Sequence, residues 1–403
     1  MKARFFIYCS IIVKMGIIKA YRFRIYPSRE QVELLNHHLW LSKELWNELL
    51  AHTKRMYRDY GHFATKYSLQ LMVKGAGLYS QTQQEIAHRV FNAVGRFLEL
   101  RRQGIHCGFP RFKSFSRIRS LHYPQSGFRI EGKKLKVTPF GYILMKQHQS
   151  IDGKIKNLVL KRKPSGKWFA IFVVEEPAKQ PKTNRGPPVG IDLGLRCLAV
   201  LSDGTHIWNP RHLQKSEEKL KRLQRQLSRK KRGSRNRYKA KLRLAITHEK
   251  VANTRTDFLH KLSSWLVRNY SFITLECLDV RDMVQEDYGK QINDAGWGLF
   301  TNMLCDKAES AGCKVVFVDP ANTTKECSRC GAIVKKSIRD RTHCCPVCGL
   351  VIDRDLNASI NILKRGVSTA GHAGSNACGD GLARYAVNEA RSSHPLGVGV
   401  CHR

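Results

Sequence analysis

The spacing of apolar positions changes character several times along the chain. Residues 17–26 alternate apolar and basic side chains, as a strand with one buried face does. Tyr26-Pro27 ends that pattern. Ser28-Arg-Glu-Gln31 then has the spacing of a helix capping box, and Val32, Leu34, Leu35, Leu39 and Trp40 follow at helical intervals. The helical period runs through Leu49 and returns over residues 69–100, which predicts a helical block with Leu and Trp inside and basic residues on its outer faces. From Gly108 onward the segments are short and alternating: 128–130, 135–137, 142–145, 155–160 and 168–174, with Gly and Pro between them. These read as a small antiparallel barrel or sheet that strand 17–26 completes, so the helical block is an insertion between its first and second strands. Residues 178–188 are polar, Pro-rich and aperiodic, and read as a domain linker.

The second half has a different order. Residues 189–193 and 197–201 form an apolar hairpin closed by Asp203-Gly204, and 205–208 adds a third short strand. A basic helix is expected over 211–243, where Leu213, Leu220, Leu223 and Leu227 make a narrow apolar seam, with a second helix from about Ala245 to Val267. Residues 270–278 read as a buried strand, 297–311 as a helix ending at Gly312, and 313–318 as another apolar strand. Three hairpin strands, helices, a strand, a helix and a strand suit an α/β sheet of the ribonuclease H type.

Charge narrows the partners. The chain has 71 Lys and Arg against 32 Asp and Glu, a net +39, yet 42% of its 403 residues are hydrophobic, so it has real cores. Such an excess repels itself unless a polyanion is present, and nucleic acid is the natural one. The run 211–243 alone has fifteen Lys and Arg against Glu217 and Glu218, a density that favours phosphate contact over a merely solvated face. An anionic membrane fits less well, since no run of 18 or more apolar residues occurs. Residues 5–13 look like the core of a signal peptide, but no small-residue cleavage site follows. Residues 1–14 are read as an extension from an upstream start codon, with Met15 as the alternative start.

Thirteen cysteines are unevenly spaced, and Cys197 and Cys277 lie inside apolar runs, which points to a reducing compartment. Four of them stand apart. Cys327-Ser-Arg-Cys330-Gly331 and Cys345-Pro-Val-Cys348-Gly349 are two Cys-x-x-Cys knuckles fourteen residues apart, the spacing of a zinc ribbon. A site with four thiolates has no open position and is structural. Cys344 is excluded because only Cys345 keeps the two-residue spacing to Cys348.

Acids in apolar strands are the remaining anomaly. Asp192 in the hairpin is either an idle strand-end acid or a metal ligand, and Glu276 in strand 270–278 is a partner that would favour the second reading. Asp355, in Val351-Ile-Asp-Arg-Asp-Leu-Asn-Ala358, falls at a predicted helix N-cap, which alone would explain it. With two strand-borne acids already present it also suits a two-metal phosphodiesterase site. Asp203 is assigned to its turn, Asp279 to a strand exit, and Asp257 to pairing with local basic residues. No phosphate loop, nucleophile elbow or His-Glu-x-x-His occurs, and the sixteen histidines are scattered.

Taken in order, Lys19-Ala-Tyr-Arg-Phe-Arg-Ile-Tyr-Pro27, Phe109-Pro-Arg-Phe-Lys113, Tyr123-Pro-Gln125, Gly190-Ile-Asp-Leu-Gly194, Thr274-Leu-Glu276, the two cysteine pairs and Asp353-Arg-Asp-Leu-Asn-Ala358 resemble the TnpB family. Its members are transposon-encoded RNA-guided nucleases related to type V CRISPR effectors. The resemblance implies a multidomain α+β and α/β fold. Residues 15–27 and 108–177 would form a wedge β-barrel interrupted by a helical recognition lobe at 28–107. A RuvC-like (ribonuclease H-like) nuclease domain would follow after the linker at 178–188. It would occupy 189–321, including a basic helical hairpin at 209–268, and 352–365, with a zinc-binding target-loading element at 322–351. It further implies Asp192, Glu276 and Asp355 as catalytic acids holding two Mg²⁺, or Mn²⁺ in their place, and one structural Zn²⁺ on Cys327, Cys330, Cys345 and Cys348. In this family the second acid of Asp-x-Asp-x-Asn is the catalytic one, which selects Asp355 over Asp353. The implied partners are a guide RNA from the transposon end and double-stranded target DNA with a short adjacent motif. A cytoplasmic, nucleoid-associated prokaryotic monomer without membrane attachment is expected. The Gly-rich tail 366–403 shows no folding pattern and is expected to be disordered. Two other readings are an RNA-guided DNA-binding protein that does not cut, and a transposase or resolvase of the RuvC fold that needs no guide.

Overall fold

The computed structural model describes residues 17–177, 183–285, 288–337 and 340–371. The proposed extension at 1–14, the alternative start at Met15, residues 178–182 of the expected linker and the tail beyond residue 371 lie outside them. The chain divides into two compact units after residue 178.

In the first unit, β1 (Ile17–Tyr26) leads into α1 (Arg29–Tyr60). The capping box forms: Gln31 N donates to Ser28 Oγ at 3.2 Å and Ser28 N to Gln31 Oε1 at 2.9 Å. The helix stops at Gly61, whose φ of +74° only glycine adopts freely. Two further helices, α2 (Lys66–Met72) and α3 (Ser80–Arg102), pack on α1 around Trp46, Leu49, Leu50, Leu69 and Val90. The strands that follow are β2 (Ser120–Tyr123), β3 (Phe128–Glu131), β4 (Lys134–Val137), β5 (Gly141–Lys146), β6 (Lys154–Arg162) and β7 (Trp168–Glu176). They join β1 in one antiparallel sheet of order β2-β6-β7-β1-β5-β4-β3. The sequence reading does not include β2, whose four residues alternate between half-buried and buried.

The sheet curls until its two ends share a core. Leu121 and Tyr123 of β2 are buried with Leu135 and Val137 of β4, and Phe128 of β3 packs against the same cluster. Across the gap, Tyr123 Oη donates to Thr138 O at 2.9 Å, so the barrel is nearly closed.

The second unit is built on β8 (Pro188–Leu193), β9 (Cys197–Leu201), β10 (His206–Trp208), β11 (Phe272–Glu276) and β12 (Lys314–Val318). Their order is β10-β9-β8-β11-β12: β8, β11 and β12 run parallel, while β9 and β10 are antiparallel hairpin strands. The stretch read as a linker ends earlier than expected. Asn184 Nδ2 donates to Val267 O at 2.9 Å and Tyr270 O at 2.8 Å, and Pro188 already belongs to β8.

The basic run is not one helix to Arg243. It forms α4 (His212–Ser228), a turn with Gly233 at φ +82°, and the start of α5 (Arg235–Asn269). Ser234 caps α5 by accepting from Arg237 N at 3.1 Å. Cations continue through the turn, so periodicity alone does not locate the break. Four consecutive ones, Arg229, Lys230, Lys231 and Arg232, favour a chain reversal that exposes them all. Next come α6 (Val280–Gln285), α7 (Gly289–Ala295) and α8 (Trp297–Ala311), then β13 (Thr342–Cys344), β14 (Val351–Asp353) and α9 (Arg354–Gly371). Residues 366–371 therefore continue a helix, whereas the expected disordered tail begins at 366. Among the described residues, no helix is long and apolar enough to cross a membrane.

One face of the five-stranded sheet is covered by α5 and α8, around Ile191, Leu193, Leu201, Ile273, Leu275 and Phe300. The other face receives α9. A Cβ on Gly190 would lie 2.1 Å from Ser359 O, and one on Gly366 would lie 2.2 Å from Thr274 Oγ1. Gly190 and Thr274 are register partners on β8 and β11. Helix and sheet can touch this closely only because each contact has a glycine on one side.

Candidate functional site

The three acids come from three elements at one end of this sheet. Asp192 and Glu276 occupy the C-terminal ends of the parallel neighbours β8 and β11, whose register pairs Ile191 with Leu275. They lie on the face that Gly190 and Thr274 present to α9, because side chains two residues apart on a strand share a face. Helix α9 brings its N-terminal turn, with Asp355, to the same end.

Their electrostatics record the convergence. Burial, then the Glu276 and Asp355 carboxylates, push Asp192 well above the usual carboxylate range. Burial also raises Glu276, against a 2.5 Å hydrogen bond from Thr323 Oγ1 and the charge of Arg365. Asp355 meets Arg354 Nε at 3.0 Å and Arg341 Nη1 at 3.5 Å. Among the described residues, the group of three or more His, Cys, Asp or Glu that is gathered closely enough to hold a metal ion is the four cysteines, with ligand atoms within 4.8 Å of one another.

Asp353, rather than Asp355, caps the helix. Asp353 Oδ1 accepts from Asp355 N at 2.9 Å and Leu356 N at 3.1 Å. This corrects the sequence assignment of the N-cap, and it leaves the Asp355 carboxylate to pair with Arg354 and Arg341. The rival acids are engaged as expected. Asp203 accepts from Tyr270 Oη at 2.6 Å and Thr205 N at 2.9 Å, and Asp257 pairs with Lys261 at 2.7 Å. Asp279 Oδ1 faces Asp282 N at the start of α6.

Cys327, Cys330, Cys345 and Cys348 come together from the two knuckles, with Sγ atoms of Cys327 and Cys348 3.5 Å apart and those of Cys330 and Cys345 3.6 Å apart. A tetrahedron with arms of about 2.3 Å has edges of about 3.8 Å, so the set fits zinc. Although burial opposes it, backbone N–H groups of Cys330 and Arg329 hold the Cys327 thiol down at about 5. Backbone N–H groups, first that of Cys348, lower Cys345 as well. Gly331 and Gly349, at φ +78° and +71°, make the turns that aim these amides. Cys344 is exposed in β13 and outside the set.

Sequence reasoning misses several residues at this site. Asn357 and Asn361 are buried on α9: Asn357 Nδ2 donates to Glu326 O at 2.7 Å and its Oδ1 accepts from Ser328 N at 2.9 Å, while Asn361 Nδ2 donates to Thr323 O and Glu326 O. Arg365 pairs with Glu326 at 2.7 Å. The helix that bears Asp355 thus also fastens the first cysteine knuckle. Asn357 closes the Asp-x-Asp-x-Asn pattern and is visible there, but its role depends on a loop some thirty residues earlier in sequence.

Comparison with known proteins agrees with this architecture. A family profile described as "Probable transposase" (OrfB_IS605) matches residues 171–287, and one described as "Cas12f1-like, TNB domain" matches 297–362. A profile described as "Helix-turn-helix domain" matches 15–62, where the described residues form one strand and a single 32-residue helix. A solved Cas12f1-sgRNA-target DNA complex contains a chain that is similar with a TM-score of 0.56 at 13% identity, over 86% of this chain and 98% of that one. Nearly closed barrel, α/β sheet and four-cysteine cluster therefore define an α+β protein of the Cas12-like fold. A protein of Escherichia coli (strain K12) named "Putative RNA-guided DNA endonuclease InsQ" is 32% identical over 68% of this chain and 70% of its own length. One of Streptomyces pristinaespiralis named "Putative RNA-guided DNA endonuclease" is 29% identical over 90% of this chain and 92% of its own. The chain belongs to the TnpB family.

Proposed function

We propose that this protein is an RNA-guided DNA endonuclease encoded by a transposon, and that its five-stranded unit is a RuvC-like nuclease domain. The observation that carries the reading is the convergence of Asp192, Glu276 and Asp355 at one sheet end, with two of the three pushed toward protonation by burial. Carboxylates in that condition are relieved by divalent cations, and the three acids supply the oxygen ligands that two Mg²⁺, or Mn²⁺, prefer. When bound, the metals would supply an activated water and neutralise charge on the leaving oxygen of a phosphodiester.

The chain's own residues set up the site. Asp353 takes the cap, Asp355 pairs with Arg354 and Arg341 in the first helical turn, and Thr323 orients Glu276. Arg341 and Arg354, which pair with Asp355, set two guanidinium charges beside the acids, where a phosphate would meet them. One Zn²⁺ on the four cysteines would keep the loop 322–351 in shape without chemistry of its own. A guide RNA from the transposon end and duplex DNA with a short adjacent motif are the partners proposed, with the chain acting as a monomer. Names of the relatives and the basic hairpin α4–α5 support this, and base pairing would supply the choice of sequence.

The test is protein co-expressed with the flanking transposon sequence, its copurifying RNA sequenced, and a plasmid matching that RNA offered with magnesium. Cleavage is expected from the parent chain and loss of at least about a hundredfold in rate from Asp192→Ala, the scale of losing a group that stabilises the transition state. Equal cutting by Asp192→Ala would sink the site assignment.

A further inference from the structure

The edge of the sheet beside the acids presents an aromatic ring to solvent among cations. Trp208 ends β10 and is 63% exposed, more than any of the other five tryptophans. It lines an open cleft of about 420 Å³ with Arg196, Arg211, Gln214 and Lys215. Among the described residues, no acidic side chain lines this cleft.

Topology puts the ring on the acids' side of the sheet. Ile207 packs into the core on the α5 and α8 face, together with Ile191, Leu193, Ala199 and Leu201. Its strand neighbours His206 and Trp208 therefore face the other way, toward the side that holds Asp192 and Glu276. The register pairs Ile207 with Ala199 but Trp208 with Cys197, a bulge that passes over Leu198. Cys197 in turn lies in the field of Asp355 and Asp353. Trp208 thus stands at the catalytic end of the sheet, two strand spacings from β8, or about 10 Å.

The cleft is also fixed in shape. Asn209 Nδ2 donates to Leu195 O at 3.0 Å and ties the segment after Trp208 to the loop that bears Arg196. Arg211 N donates to Asn209 Oδ1 at 3.1 Å, with Arg211 held at φ +49°, a left-handed conformation uncommon for a side-chain-bearing residue. The next residues are anchored by the Asp294 carboxylate, which accepts from Leu213 N at 3.0 and 2.9 Å. A bulge that re-aims a side chain and a strained residue beside it are features that recur next to functional sites.

We infer that Trp208 is a stacking platform for an unpaired base of single-stranded DNA, with Arg196, Arg211 and Lys215 holding the phosphates on either side, so that the strand is led across the sheet edge to the acids. The inference rests on the nuclease reading of Asp192, Glu276 and Asp355 and assigns a further positioning residue to it. An aromatic face flanked by cations suits single strands in particular, since duplex bases are stacked on one another and offer no free face. Base stacking of this kind is tolerant of sequence, as a guided nuclease requires.

The experiment measures binding of short fluorescent oligomers to the full chain with its copurified RNA, in magnesium-free buffer without chelator: oligo-dT, oligo-U and a DNA duplex of the same length. Trp208→Ala should weaken oligo-dT binding about tenfold, the scale of one lost base stack, and leave duplex binding within about twofold, while Trp208→Phe keeps most of the affinity. With magnesium and a matched plasmid, Trp208→Ala should slow cleavage, and Trp208→Phe should restore it. Unchanged oligo-dT binding in Trp208→Ala, equal loss for duplex and single strand, or a loss confined to oligo-U would overturn the inference. The binding arm needs no catalysis, so a parent chain that does not cut would refute the proposed activity while the platform is still read out separately.

Discussion

At the scale of single residues, the acids carry a cost that burial imposes. Asp192 and Glu276 hold their protons more tightly in the folded chain than in the unfolded one, because burial disfavours their charged forms. The stability tied to them is therefore full below the unfolded values of about 4 and is lost as pH rises through the raised, folded ones. Asp192→Asn keeps the shape and removes the charge. In magnesium-free buffer at about pH 8 it should melt above the parent, by roughly 2–4 °C for each kcal/mol gained, and the gap should close toward about pH 5. Thermal scans across that range check the sign, and a parent that melts higher at the alkaline end would refute it. The same variant should not cleave. Asp353 and Asp355 show why residue type alone misleads: two acids two positions apart both suit a helix start, and only the backbone amides they meet show which one is the cap.

At the scale of elements, α9 holds the site together. It touches β8 and β11 through Gly190 and Gly366, and it fastens the cysteine knuckle through Asn357 and Asn361. Gly190→Ala would force a methyl to within 2.1 Å of the Ser359 carbonyl oxygen. That should cost about 1–3 kcal/mol by overpacking, read as a lower melting temperature, and slow cleavage by displacing Asp355. Asn357→Ala should leave the buried Ser328 N–H without its partner, at about 1–3 kcal/mol, and speed the release of zinc to a colorimetric chelator. Zinc release at the parental rate would show that the knuckle is held without this bond. The elements themselves are largely legible in the sequence. Alternation reveals strands such as β1 and β7, and the capping box fixes the start of α1. The break between α4 and α5 is not legible, since the basic residues on both sides continue without a change of period.

At the scale of the whole molecule, charge dominates. A net +39 makes binding to nucleic acid a salt-sensitive process. Arg222, Arg225 and Arg229 are exposed on α4 and at its end. Replacing all three by Gln should reduce the slope of log K against log salt by roughly 2–3 for duplex DNA, and weaken binding similarly for unrelated sequences. Affinities measured between about 50 and 200 mM salt give the two slopes to compare, and an unchanged slope would remove the hairpin from the interface.

By itself the sequence determined most of the elements, the four cysteines that form a zinc-fitting cluster, and which polyanion the surface suits. These follow from local period, short-range spacing and summed charge. The tertiary structure decided what depends on distant segments meeting. It chose Asp353 as the cap, gave Gly190 and Gly366 their role as close contacts, set Thr323 against Glu276 and paired Trp208 with Cys197 past a bulge. Each of those outcomes rests on how the chain packs beyond its immediate neighbours, and no local pattern encodes where a distant partner will arrive.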